Sequence, residues 1–151
     1  MIHQNLYKKE NLTGILVYEY FDKLISSLFN SYNISPGKIE LIKDIDQLNL
    51  DVDTVVPLGL ISNELITNAL KYAFPNEASG IIKVSLKELA GMLRLRVEDN
   101  GIGIDPNDQK KEEGFGFELI DAFKDKLDAS IELTSQKGTA VEILIKNYKR
   151  A

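Results

Sequence analysis

The sequence predicts a two-layer α+β sandwich, in which about three helices cover one face of a mixed, largely antiparallel sheet. Three observations predict it. Apolar residues recur at helical spacing in three separate stretches, around residues 18–32, 55–74 and 116–127. Ile82, Val84 and Leu86 alternate with Lys83, Ser85 and Lys87, and Leu93, Leu95 and Val97 alternate with Arg94, Arg96 and Glu98, as strands with one solvated face do. Thr139, Val141, Ile143 and Ile145 share one side of a final strand.

In chain order, Phe21, Ile25, Leu28, Phe29 and Tyr32 mark an amphipathic helix from Tyr18 to Tyr32, which the turn Ser35-Pro36-Gly37 ends. Two short strands follow, one over 39–45 and one around Leu48, Leu50 and Val52. A second helix is expected from about Val55 to Phe74. Asp53 or Thr54 can cap its start, Pro57 is harmless in the first turn, and Phe74-Pro75 stops it. The two alternating strands form a hairpin turned at Ala90-Gly91. Residues 101–114 lack periodicity, contain Asp105-Pro106 and read as a surface loop. The third helix begins near Gly116 with Phe117, Ile120, Phe123 and Leu127, and a hairpin of 131–133 with 138–146 closes the domain.

Composition narrows the function. A chain of 151 residues that is 44% hydrophobic can bury one sizeable core. The net charge of −5 argues against a nucleic-acid partner, which needs clustered Lys and Arg. With no cysteine there is no disulfide, thiolate metal site or thiol catalysis, which suits a reducing compartment. No apolar run approaches the roughly 18 residues of a membrane span, so no direct membrane contact and a cytoplasmic location are expected.

Several residues sit oddly in a plain core. Asn100-Gly101 is a strong hairpin signal, yet no alternating strand follows it. Counting by twos from Leu93 through Leu95 and Val97 reaches Asp99, a carboxylate at buried parity that needs a donor. The same parity holds for Thr139. Asp99 as a turn cap and Thr139 as a β-former are the plain structural alternatives. In ISNELITNALKYAF, Glu64, Asn68 and Lys71 stand at i, i+4 and i+7, beside a core stripe of Ile61, Leu65, Ala69 and Tyr72. That polar stripe is either a solvated face or a place where a carboxylate and an amide oxygen hold Mg²⁺, which takes few protein oxygens and completes its shell with water and phosphate. In GFGFELI, Gly114 and Gly116 open a helix whose N–H groups face outward, as anion sites require. Neither GxGxxG nor GxxxxGK[ST] occurs.

Taken in order, NELITNALKYAF, DNGIGI, GFGFELI and KGTAVEILI resemble the asparagine box and the three glycine boxes of the histidine-kinase ATPase domain, over about residues 34–147. This superfamily has the Bergerat ATP-binding fold and includes type II topoisomerases and mismatch-repair ATPases. The stretch IHQNLYKKENL and the helix EYFDKLISSLF resemble the sensor histidine kinases with the second type of dimerisation and phosphoacceptor domain. The resemblance implies ATP and Mg²⁺ as ligands. Asp99 would accept the adenine amino group, Gly101, Gly103 and Ile104 would pass close to the base, and Thr139 would hold a water or the base beside Asp99. Asn68 would ligate Mg²⁺, Glu64 would orient the attacking group or a metal-bound water, and Lys71 would contact phosphate. Gly114, Gly116 and Phe117 would cradle phosphates under a lid of residues 104–113, which is short and lacks a recognisable aromatic box.

The resemblance also implies a divided protein. Residues 1–17 would be the remnant of the connection from an upstream dimerisation and phosphoacceptor domain, and 18–151 the ATP-binding catalytic domain. His3 is the only histidine and only two residues precede it, so no acceptor helix surrounds it. The chain alone is therefore expected to bind ATP without phosphorylating itself, and to serve a downstream response regulator receiver domain. The alternatives are a stand-alone serine/threonine kinase of the anti-sigma-factor type, which shares these boxes, and a nucleotide-sensing module without transfer activity. A topoisomerase-like ATPase is disfavoured, because the chain lacks room for the second domain that supplies a phosphate-binding lysine there.

Overall fold

The computed structural model describes residues 14–31, 38–72, 74, 79–102, 117–134 and 138–148. The elements are β1 (Gly14–Leu16), α1 (Val17–Ser31), β2 (Ile39–Ile45), β3 (Asn49–Asp51), α2 (Val52–Tyr72), β4 (Gly80–Leu89), β5 (Met92–Asp99), α3 (Phe117–Leu127), β6 (Ala129–Thr134) and β7 (Thr139–Ile145). Five strands form one sheet in the order β2-β4-β5-β7-β6, and β1 pairs with β3 in a separate two-stranded ribbon. Among the described residues only the β2–β4 pair is parallel; β4–β5, β5–β7 and β6–β7 are antiparallel, so the expected mixed sandwich is the observed one.

One sheet face makes the core. Ile82, Val84, Leu86, Leu93, Leu95, Val97, Val141, Ile143 and Ile145 are all buried, and each is two residues from the next on its strand. Val17, Phe21 and Ile25 of α1 meet this layer at i, i+4 and i+8, as do Leu58, Ile61, Leu65 and Ala69 of α2 and Ile120 and Leu127 of α3. The opposite face is polar: Arg96 reaches Glu142 at 2.8 Å and Glu98 at 3.4 Å, and Lys87 reaches Asp44 at 2.6 Å and Asp46 at 3.2 Å. Asp22 of α1 pairs with Lys43 of β2 across the helix–sheet joint.

The start of α2 differs from the expectation. It begins at Val52 rather than Val55, and the Asp53 N–H donates to Asp51 Oδ2 at 3.2 Å, so Asp51 caps it rather than Asp53 or Thr54. Pro57 then lies beyond the first turn, where its missing N–H deprives the Asp53 carbonyl. Asp53 is exposed, so water can take that carbonyl. β1 is a further element that the sequence analysis did not predict, because three residues are too few to show alternation. It brings Ile15 into the core, next to Val17 at the start of α1.

Turn chemistry joins the rest. Ala90 (φ 53°) and Gly91 (φ 77°) are both left-handed, as a two-residue type I′ hairpin requires. At the end of α3, Asp128 (φ 46°) reverses the chain. The Asn147 backbone N–H donates to the Leu127 carbonyl at 2.9 Å and its side-chain amide donates to the Lys126 carbonyl, which satisfies two orphan carbonyls of the helix.

Candidate functional site

β5 ends at Asp99, where strand parity carries a carboxylate onto the face of Leu93, Leu95 and Val97. Antiparallel pairing places Ile82 of β4 on one side of it and Thr139 of β7 on the other. Asp99 Oδ1 accepts the Gly101 N–H at 2.9 Å and the Thr139 N–H at 3.3 Å. Oδ2 has no partner among the described residues. Burial pushes the Asp99 carboxyl above the ordinary carboxylate range, and the two N–H bonds pull it part of the way back. A partly desolvated carboxylate with one oxygen held by the main chain and the other without a partner among the described residues is equipped to accept from a ligand's amino group. Thr139 is itself buried, at 6% exposure, on the same side of the sheet.

The second cluster lies on α2. Asn68 is 4% exposed and its amide nitrogen donates to Glu64 Oε1 at 3.4 Å, one turn back. With the nitrogen engaged, the amide oxygen faces away from Glu64 and has no partner among the described residues, which suits a hard-cation ligand. Glu64 is half-buried and Lys71, in the last turn, is exposed. The two clusters occupy the same end of the sandwich. α2 ends at Tyr72, and Phe74 packs so closely on Gly80 at the start of β4 that no Cβ fits there; Gly80 is two residues from Ile82, the register partner of Asp99.

Of the other expected site residues, Gly101 is half-buried and bonded to Asp99, whereas Gly103, Ile104, Gly114, Gly116 and the lid of residues 104–113 lie outside the described residues, as does His3. Phe117 opens α3, and its side chain is not among those described. Among the described residues no group of three or more His, Cys, Asp or Glu side chains could hold a metal ion, and no helix is long and apolar enough to cross a membrane. Two residues to which the sequence motifs alone assign no site role also touch the site. Asn100 is half of the Asn100-Gly101 turn signal, but it is not left-handed, so no type I′ turn forms there. It binds Ile81 instead, at 2.7 Å and 3.2 Å. Gly138 (φ 88°) abuts the Asp99–Asn100 peptide.

This geometry sits inside a known family. The family described as histidine kinase-, DNA gyrase B-, and HSP90-like ATPase matches residues 54–149. The chain belongs to that family. Membership of this ATPase family implies ATP binding and supports kinase activity in general. Among curated relatives, a blue-light-activated histidine kinase of Erythrobacter litoralis is 33% identical over 110 residues, covering 71% of this chain and 32% of the relative. The chain thus spans about a third of that histidine kinase. An anti-sigma F factor of Geobacillus thermodenitrificans is 26% identical over 122 residues, covering 74% of this chain and 82% of the factor. The solved histidine kinase domain of an Erythrobacter litoralis blue-light-activated kinase superposes with a TM-score of 0.77 at 30% identity, covering 87% of this chain and 61% of that one. A mycobacterial sensor histidine kinase shares the fold, with a TM-score of 0.68 at 19% identity over 91% of this chain and 97% of its own. Histidine-kinase-like ATPases therefore surround this chain in both sequence and fold.

Proposed function

We propose that the chain is the ATP-binding catalytic domain of a two-component sensor histidine kinase, and that it transfers the γ-phosphoryl group of ATP to a histidine on a separate dimerisation and phosphoacceptor domain. The observation that carries this most is the half-buried Asp99, whose main-chain bonds fill one oxygen and leave the other for an adenine amino group. Identity of 33% to a histidine kinase supports the acceptor type. Asp99, Gly101, Gly103, Ile104 and Thr139 form the adenine end in this proposal, while Gly114, Gly116, Phe117 and Lys71 take the phosphates beneath a lid of residues 104–113. Asn68 and Glu64 would hold Mg²⁺ and its waters, and Glu64 would also orient the attacking group. Mg²⁺ supplies charge neutralisation across the phosphates. The chain's own contribution is position: the asparagine box is held on one rigid helix and the adenine contact on the sheet below. Residues 1–17 lead in from the acceptor domain, a receiver domain takes the phosphoryl group afterwards, and the domain works in the cytoplasm, where ATP is.

Acid stability of the product tests the acceptor. The chain is incubated with γ-labelled ATP, Mg²⁺ and the dimerisation and phosphoacceptor domain of the Erythrobacter kinase, and the product is then treated with acid. Label lost in acid is expected, because phosphohistidine is acid-labile. Acid-stable label on an added protein partner would instead favour a serine/threonine kinase of the anti-sigma-factor type, a second reading favoured by the 82% coverage of an anti-sigma F factor. Label appearing on histidine when the chain is incubated alone would overturn the assignment of the acceptor to another domain.

Asn68→Ala tests the metal role. Loss of an oxygen ligand to a charged group should remove about 1.5–3 kcal/mol, or roughly 10- to 100-fold, from the Mg²⁺-dependent part of nucleotide affinity. Titration of a fluorescent ATP analogue with and without Mg²⁺ measures this. An unchanged Mg²⁺ response would remove Asn68 from the metal site.

A further inference from the structure

β5 leaves the sheet abruptly, and its last residue in register is Asp99, opposite Ile82. Continuing the ladder by one residue would require the next residue to bond Ile81 through its main chain. Asn100 does half of this, donating its N–H to the Ile81 carbonyl at 3.2 Å. The other half comes from its side chain: the Ile81 N–H donates to Asn100 Oδ1 at 2.7 Å. A side-chain oxygen thus takes the place of a strand carbonyl, which frees the main chain to turn toward Gly101, whose N–H then reaches Asp99 Oδ1. On the opposite side, Gly138 lies so close that a Cβ there would be 2.8 Å from the Asp99 carbonyl carbon and 2.9 Å from the Asn100 Cα. The Asp99–Asn100 peptide is consequently gripped between β4 and the residue preceding β7.

We propose that Asn100 is a positioning residue for base recognition: its amide oxygen locks the end of β5 to Ile81 of β4 and thereby holds the Asp99 carboxylate in the orientation that selects an amino-bearing purine. This rests on the proposed ATP site and adds to it a residue that touches neither base nor phosphate. Any residue can turn a chain toward solvent. Only one with an acceptor at the reach of Asn100 Oδ1 can satisfy the Ile81 N–H and turn the chain at the same residue.

The experiment compares ATP, GTP and inorganic tripolyphosphate as ligands of wild type, Asn100→Ala, Asn100→Asp and Asp99→Asn, each by calorimetric titration with Mg²⁺. Asn100→Ala should lower the preference for ATP over GTP by about tenfold while tripolyphosphate, which has no base, binds as it does to wild type. Asn100→Asp keeps an oxygen at the same reach and should restore most of the preference. A parallel fall for ATP and tripolyphosphate in Asn100→Ala would overturn the proposal, since it would mark general loss of the site. So would an unchanged ATP preference in Asn100→Ala alongside its loss in Asp99→Asn, which would leave the adenine assignment standing without Asn100. Retention of the preference in Asp99→Asn would instead remove the adenine assignment itself.

Discussion

Asp99→Asn is expected to weaken ATP binding by about 100-fold or more while leaving the protein folded. The isosteric amide keeps an oxygen where Oδ1 accepts the Gly101 and Thr139 N–H groups, so the local main chain retains both bonds. What changes is the other position, where an NH₂ replaces Oδ2 and, in the proposed site, would face the adenine amino group donor to donor. The same substitution should stabilise the unliganded protein at neutral pH. Burial raises the Asp99 pKa, so between its ordinary and its raised value the folded state holds more protons than the unfolded one. Stability therefore falls as pH rises through that window, and the deficit is fully present above the raised value. Asn carries no such penalty, so the variant should melt above wild type at pH 7 and the gap should close as pH drops below both values. Fluorescent-ATP titration and thermal melts at several pH values measure the two effects. Wild-type nucleotide affinity in a folded Asp99→Asn protein would remove this residue from the adenine site.

Asp99 was legible because period-2 alternation is a geometric rule, and Leu93, Leu95 and Val97 leave no choice of face for the residue that follows by two. The long elements were legible for the same reason. Asn68 was legible only as part of a stripe with Glu64 and Lys71, and the fold divides that stripe. A step of four residues turns about 40° around the helix and a step of seven about 20° the other way. From a half-buried Glu64, that difference puts Asn68 inside and Lys71 in solvent. Local pattern failed where long-range contact decides. Sequence pattern points to Asp53 or Thr54 as the cap of α2, whereas the helix begins at Val52, directly after β3, and Asp51 at the end of that strand caps it. Asn100 followed by Gly101 has the composition of a hairpin turn, but its bond to Ile81, distant in sequence, converts it into a strand terminator. The glycine before Thr139 has no local signal separating a flexible turn from a point of close approach.

Gly138→Ala should distinguish those two possibilities with an effect as large as that at Asp99, and Gly91 provides the comparison. Both glycines are left-handed, with φ 88° and 77°. A methyl group at either position incurs the left-handed penalty of about 1–2 kcal/mol. At Gly91 nothing lies within 4 Å of the added Cβ, so Gly91→Ala should lose only that amount. At Gly138 the Cβ would be driven into the Asp99 carbonyl oxygen, and relief requires moving main chain in β5 or β7 rather than rotating a side chain. A total loss of about 3–5 kcal/mol follows, or a fall in Tm of roughly 10 °C for a domain of this size. Because the displaced atoms belong to the Asp99–Asn100 peptide, ATP affinity should fall in Gly138→Ala and not in Gly91→Ala. Denaturant melts and ATP titrations of both variants check this. Equal destabilisation by the two substitutions would mean that Gly138 serves conformation alone, and that the adenine end does not depend on the close approach of β7.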